Sequence, residues 1–420
     1  MKRYAISLLC LLLAATAIFM TSCAMKIKAT ELSAGYTRTT TDPGEVTDAY
    51  LAATLDFSLK LFRETVTEDE ANDLFSPYSA LLCLGLVANG TAGTTREQIE
   101  TVLGLSVEEL NRGLYAFNQG LYSAKDCKVT TANSIWFRNT FTVDPAYLQT
   151  VADWYDAEQY ATPFDKTTLQ DINNWSKEKT ERRIPKVLDE TSPDSVMYLI
   201  NTLLFDAKWQ EPYEKSQLVP RSFTNADGTK ARVTMLSSEE DVYLESDTAI
   251  GFAKPYQGGQ YDFIGLLPKG NQTVSDVVKE LNGAAWRQIW QSRLNNGCVV
   301  DVTFPRFSHE NKTDLIAPLT ALGIDKMFGN HADFSSINAS ASLSCSFFQQ
   351  LNAIQVDQNG TVAASATIGG LESGIKPVTP HYTVTLDRPF LYAIIEHKTG
   401  FPLYIGTVND LSADGASDMQ

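Results

Sequence analysis

Helical and strand-like patterns are segregated along this chain, and their order restricts the fold more than any other feature. Leu51, Leu55, Leu59 and Phe62 recur on one face of a first helix. Residues 79–88 are almost wholly apolar and read as a buried second helix. Gly90 and Gly93 close it before Thr95-Arg96-Glu97-Gln98 begins another. Amphipathic stretches follow near 106–123, 144–155 and 168–182, separated by β-branched and aromatic runs at 128–137 and 196–205 that suit central strands. From there strands dominate, at 242–254, 261–267, 298–307, 347–357, 382–386, 390–397 and 403–408. Helical patterns intrude only at 274–281, 284–292 and 313–321. Helices early, strands late and no strict βαβ alternation predict an α+β fold. A chain of 420 residues buries about three quarters of its unfolded surface, so its core needs no disulfide staples. Between two strong strands, residues 358–380 are small, polar, Gly or Pro with no core pattern. A loop this long in a compact domain is usually functional.

The start of the chain reads as a targeting segment. Lys2 and Arg3 precede an apolar run from Ile6 to Met20, of signal-peptide length and short of a bilayer span. Met20-Thr21-Ser22-Cys23 resembles a bacterial lipoprotein cleavage box. Residues 1–22 are then a lipoprotein signal peptide and Cys23 the lipidated first residue, with plain secretion or an uncleaved anchor as alternatives. Residues 23–47 read as a flexible tether and 412–420 as a C-terminal tail. The expected location is a bacterial membrane, at the cell surface or the periplasmic face. The formal charge is −16, and −18 once residues 1–22 are set aside, which argues against a nucleic-acid partner.

Four cysteines fall in the body, Cys83, Cys127, Cys298 and Cys345, none in a C-x-x-C pair, and the histidines are scattered at His309, His331, His381 and His397. Neither a metal site nor a cofactor is expected. Buried free thiols and a single disulfide both fit an exported protein. Three short matches mimic a penicillin-interacting serine enzyme: Ser176-Lys177-Glu178-Lys179, Ser336-Ile337-Asn338 and Lys398-Thr399-Gly400. Their intervals of 160 and then 62 residues reverse the usual order, so no catalytic residue is assigned.

Several stretches resemble one family in order over residues 48–411. They are Asn72-Asp73-Leu74-Phe75-Ser76-Pro77-Tyr78-Ser79, Ala132-Asn133-Ser134-Ile135-Trp136, Ile172-Asn173-Asn174-Trp175 with Thr180 and Ile184, and Leu199-Ile200-Asn201 through Phe205 and Trp209. Pro305-Arg306-Phe307, Leu322-Gly323-Ile324, Phe334-Ser335, Arg388-Pro389-Phe390 and Thr399-Gly400 follow. On these motifs the chain resembles the serpins, and Gly360-Thr361-Val362-Ala363-Ala364-Ser365-Ala366-Thr367 resembles the hinge of inhibitory members. The resemblance implies an α+β serpin domain with a large central mixed or antiparallel sheet, further sheets, eight or nine helices and an exposed reactive-centre loop.

The alternation of a strand supports the hinge independently. Inserted as a strand, this segment would place Thr361, Ala363, Ser365 and Thr367 on one face, all of them small. Small residues enter a packed sheet with little of the overpacking cost, about 1–3 kcal/mol per misfit, that bulky ones incur. A flexible linker also favours small residues, but it needs no threonines.

The resemblance further implies a monomeric inhibitor, not an enzyme, that traps serine or cysteine endopeptidases covalently. The family's usual loop length, counted from Gly360, puts the scissile bond at Gly374-Ile375. Lys376 is followed by Pro377, whose ring obstructs cleavage, whereas Leu371, Ser373 and Gly374 suit elastase-like or subtilisin-like proteases. Ser76, Ser79 and Asn201 match the polar shutter beneath the sheet, although Ser76 equally suits a helix N-cap before Pro77. Trp209 matches the breach, where the loop enters, or is a plain core residue. Gln350 replaces the usual shutter histidine, Gln358 and Asn359 an acidic pair, Val362 a glutamate and Ala207 a glycine. The competing expectation is a non-inhibitory serpin acting as a cell-surface or periplasmic binding protein.

Overall fold

Thr47 opens the first helix, Asp48–Thr65, by accepting the Tyr50 N–H at its hydroxyl, which satisfies one of the unpaired donors of a helix start. Leu55, Leu59 and Phe62 are buried along its expected face. Pro77–Gly90 is buried nearly all round, with Pro77 at its first position. Gly93–Leu103, Val107–Tyr122, Pro145–Tyr155, Lys166–Lys179, Val274–Glu280, Gly283–Gln291 and Ile316–Ala321 complete nine α-helices among the described residues. This computed structural model describes residues 27–39, 42, 44–66, 71–122, 127–192, 194–361 and 380–412. None of its helices is long and apolar enough to cross a membrane.

Among the described residues the strands form three sheets. The largest is a nine-stranded mixed sheet, ordered His381–Thr385, Leu294–Pro305, Lys230–Glu245, Ala249–Pro255, Tyr261–Pro268, Phe390–Glu396, Pro402–Val408 and Asp73–Phe75, with Leu218–Thr224 also paired to Lys230–Glu245. The second runs Thr30–Glu31, Glu158–Thr162, Cys127–Arg138, Met197–Lys208 and Gly360–Thr361. Phe307–Asp314 and Gln349–Val356 form a separate two-stranded ribbon. Along Met197–Lys208 alternate residues serve two cores: Leu203, Phe205 and Ala207 face the main one. Tyr198 and Ile200 join Trp136, Tyr160 and Trp175 beneath the helix Lys166–Lys179.

Three expectations are corrected. The strand expected at 242–254 is two strands, because Ser246-Asp247-Thr248 makes a turn in which Ser246 N–H meets Ala249 O at 2.8 Å. The strand expected at 298–307 breaks at Arg306, and a second strand, Phe307–Asp314, runs through the polar alternation beyond it and takes in residues 313 and 314, so the helix expected from 313 begins at Ile316. Residues 27–39, expected to be tether, lie on the body. Thr30 and Glu31 pair with Ala161 and Tyr160, and the Asp171 carboxylate accepts the Lys28 and Ala29 N–H groups at 3.0 and 2.8 Å. Thr39 N–H reaches Asp153 at 2.7 Å. Short polar runs carry too little apolar pattern to show such docking from sequence.

One ion pair gives a pH test. His397 Nδ1 lies 2.6 Å from the buried Asp262 carboxylate, which raises the imidazole's pKa above its usual value. A folded pKa above the unfolded one means that the stabilisation is complete below about pH 6.5 and is lost as pH rises through the folded value. His397→Gln should therefore lower the thermal midpoint more at pH 5.5 than at pH 8.5. Partial exposure of the ring keeps the difference to about 2 °C, which calorimetry at the two pH values measures.

Candidate functional site

The site is built where the ribbon strand Gln349–Val356 ends. Asp357 accepts the Asn359 N–H at its carboxylate (2.7 Å) and bonds through its own N–H to Gly360 O (3.0 Å), closing a tight turn. Gly360 sits at φ +146°, where a Cβ would come within 2.2 Å of Ala207 O and 2.6 Å of Lys208 Cα, so the turn admits only glycine. The turn sets Gly360 opposite Lys208 and Thr361 opposite Ala207, antiparallel on the edge of Met197–Lys208.

Trp209 fastens this turn from below. Its backbone N–H donates to Asn359 O at 2.9 Å and its indole Nε1 to Asp357 O at 2.8 Å, while Tyr213 N–H donates to Gln358 O at 2.9 Å. The indole stacks on Tyr256 with centroids 4.6 Å apart, and the Tyr256 hydroxyl meets Thr361 Oγ1 at 2.7 Å. Thr361 is 3% exposed, so the first hinge threonine is already seated in the core. Trp209 is thus a core residue that also holds the 357–359 turn through its backbone and its indole.

A buried ion pair underlies the same corner. Lys254 Nζ lies 2.6 Å from Glu240 Oε1, with side chains 4% and 7% exposed. The ammonium also lies 4.7 Å from the Tyr213 ring centroid and 5.7 Å from that of Trp209, within cation–π range. Burial pushes the Glu240 carboxyl above its usual range, and Lys254 partly offsets that. Lys254, Glu240, Tyr213 and Tyr256 escaped the sequence reading. The available signal was a lysine inside the apolar run Phe252-Ala253-Lys254.

Below the turn the sheet is divided. Among the described residues no ladder joins Gln349–Val356 to Met197–Lys208. A cavity of about 410 Å³ lies between them near Thr361, lined by Leu203, Phe205, Ala353, Ile354, His309 and Tyr404. Another of about 470 Å³ lies near the lower end, against Met197, Tyr198, Phe347 and Gln349.

The residues expected to form a shutter converge on the start of the helix Pro77–Gly90, but in two halves. Ser76 acts as N-cap to Ser79 N–H, as expected, and also donates to Leu403 O at 2.8 Å. Ser79 Oγ donates to Asn201 Oδ1, and Asn201 Nδ2 donates to Asn133 at 2.9 Å. On the other side Gln350 accepts Ser76 N–H and donates to Ser76 O, both at 2.8 Å. Asn352 Nδ2 donates to Gln350 Oε1 at 2.7 Å. Gln350 thus replaces a ring with an amide that reads both backbone groups of one residue, and it carries no titratable proton.

Gly360 and Thr361 are placed; Val362, Ala363, Ala364, Ser365, Ala366, Thr367, the Gly374-Ile375 bond and Cys23 lie outside the described residues. The enzyme-like matches do not converge. Ser176 Oγ, fully buried, donates to Ile184 O, Ser336 Oγ to Thr91 O, and Thr399 Oγ1 to Glu396. Cys83, Cys127, Cys298 and Cys345 are free thiols, and burial pushes Cys83 and Cys345 to about 12.

The family model described as Serpin (serine protease inhibitor) matches residues 52–411. An uncharacterized serpin-like protein of Methanosarcina acetivorans is 28% identical over 366 residues, 84% of each chain. The native-state crystal structure of the thermophilic serpin tengpin superposes with a TM-score of 0.85 at 36% identity, covering 92% of this chain and 100% of that one. Its latent state gives 0.78 at 34% identity, over 88% and 99%. The chain belongs to the serpin family. Its fold is the mixed α+β serpin fold, and its function is of the protease-inhibitor type.

Proposed function

We propose that this protein traps endopeptidases covalently, being cut near Gly374-Ile375 and then drawing the cut loop into its own sheet. One observation carries the reading: Gly360 and Thr361 already form the first two rungs on the open edge of Met197–Lys208, at the head of the divided sheet. Continued in that register, Ala363 opposes Phe205, Ser365 opposes Leu203 and Thr367 opposes Asn201. Gly374 would then pass the far end of the strand, about 44 Å from Thr361 at ~3.4 Å per residue.

Chain length keeps the intact loop from inserting fully while both its ends stay fastened. His381–Thr385 is held parallel to Leu294–Pro305, whose other neighbour, Lys230–Glu245, carries Ser238 against Tyr213 beside the hinge turn. Both ends of residues 362–379 are therefore fastened at the same end of the molecule. Eighteen residues span at most about 65 Å, whereas running down the gap and back needs roughly 80 Å. Full insertion needs either a broken bond or a stripped strand.

The protease's nucleophile attacks the Gly374 carbonyl, the peptide bond to Ile375 breaks, and the new amino terminus leaves while Gly374 stays esterified. Insertion then drags the acyl-enzyme across the molecule. Loss of one oxyanion-hole donor costs ~10²–10³ in rate, enough to stall hydrolysis. Leu371, Ser373 and Gly374 suit elastase-like or subtilisin-like targets. Cys23 would hold the monomer to a bacterial membrane, and with Lys28 docked on Asp171 the link is five residues, about 17 Å extended.

A panel of elastase, subtilisin and trypsin, followed by denaturing electrophoresis and mass spectrometry, tests the proposal. A protease-sized upward shift with cleavage within three residues of Gly374 is the expected result. Clean cleavage with no adduct by any of them would sink it and favour a binding role.

A further inference from the structure

The open edge of Met197–Lys208 is not wholly uncapped. Trp209 N–H bonds to Asn359 O, which fixes the face of the strand that Trp209 turns to the hinge, and the pattern repeats every second residue. Ala207, Phe205, Leu203 and Asn201 therefore aim their backbone groups into the gap. Of these, Leu203 O is taken: the Tyr404 hydroxyl, buried on the strand Pro402–Val408, donates to it at 2.6 Å. Tyr404 also lines the cavity just below Thr361. The register fixed by Gly360 and Thr361 assigns that same carbonyl to Ser365 N–H.

We infer that Tyr404 is a positioning residue that latches the open sheet edge, holding the Leu203 carbonyl until the fourth residue beyond Thr361 arrives. The phenol lies on the core side, where an inserted Ser365 would point, so the arriving strand displaces it from Leu203 O and leaves the cut form without that bond. A buried carbonyl without a partner is costly, so the latch steadies the uncut form. For the same reason it opposes insertion, because the bond must loosen before Ser365 N–H can take the Leu203 carbonyl. Tyr404 touches no substrate and acts only through the strand edge. The inference rests on the strand-insertion reading above.

The test is Tyr404→Phe, which keeps the ring and removes one oxygen. The loop is cut with a non-target protease, and insertion is followed by tryptophan fluorescence, Trp209 lying at the head of the gap. Insertion should be about fivefold faster, the factor for one lost hydrogen bond of ordinary strength. The uncut variant should melt lower than the uncut wild type, while the two cut forms melt together. An unchanged insertion rate, or equal loss of stability in cut and uncut forms, would overturn the latch. If cut wild type melts no higher than uncut wild type, strand insertion itself is wrong, an outcome readable without the variant.

Discussion

Thr361→Arg should convert the protein from a trap into a substrate, with covalent adduct falling by more than about tenfold while the loop is still cut. Thr361 sits in the core, bonded to Tyr256 at 2.7 Å and opposite the buried Ala207. A guanidinium there would lie unpaired among Trp209, Tyr256 and Phe205, and burying such a charge costs several kcal/mol. Releasing the hinge from the edge costs only the two rungs and one side-chain hydrogen bond, each about 1 kcal/mol. The arginine variant therefore leaves the sheet, and insertion loses its first step. Delayed insertion gives the protease time to hydrolyse the ester. The stoichiometry of inhibition measures the effect, and Val362→Arg is the control. By strand alternation that side chain turns to the opposite face, so trapping should survive. Equal loss from both substitutions would mean that sheet orientation does not govern the hinge.

What the sequence disclosed follows from which forces are local. Helix faces and buried strands announced themselves through period, so Asp48–Thr65, Tyr261–Pro268 and Phe390–Glu396 fall where the pattern put them. Residues 358–380 stood out because a run of small residues between strands is unusual in itself. The division of the sheet did not, because strands 197–208 and 349–356 are 140 residues apart and their relation lies in pairing rather than composition. Tyr404 reads as one more aromatic in a strand until its hydroxyl is seen against Leu203 O. The docking of residues 27–39 rests on backbone N–H groups, which every residue but proline carries.

Glu240→Ala should cost about 3–5 kcal/mol and lower the melting of the uncut protein by several degrees, because it leaves the Lys254 ammonium buried without its counter-charge. The rings of Tyr213 and Trp209 supply only a fraction of the lost attraction, about 0.5–2 kcal/mol each. Replacing both partners by apolar residues of similar size, Glu240→Leu with Lys254→Met, should recover most of the loss, since two desolvated charges give up nearly as much as they gain. Calorimetry of the single and double variants separates the pair's net contribution from the penalty of a lone charge. The ion pair lies beneath the hinge turn whether or not a strand enters below it, so the cut and uncut forms of Glu240→Ala should both melt lower. Tyr404→Phe differs in this respect, since only its uncut form should soften. A loss confined to uncut Glu240→Ala would instead make the ion pair part of the sheet-opening device and move the barrier to the corner where Trp209 grips Asp357 and Asn359.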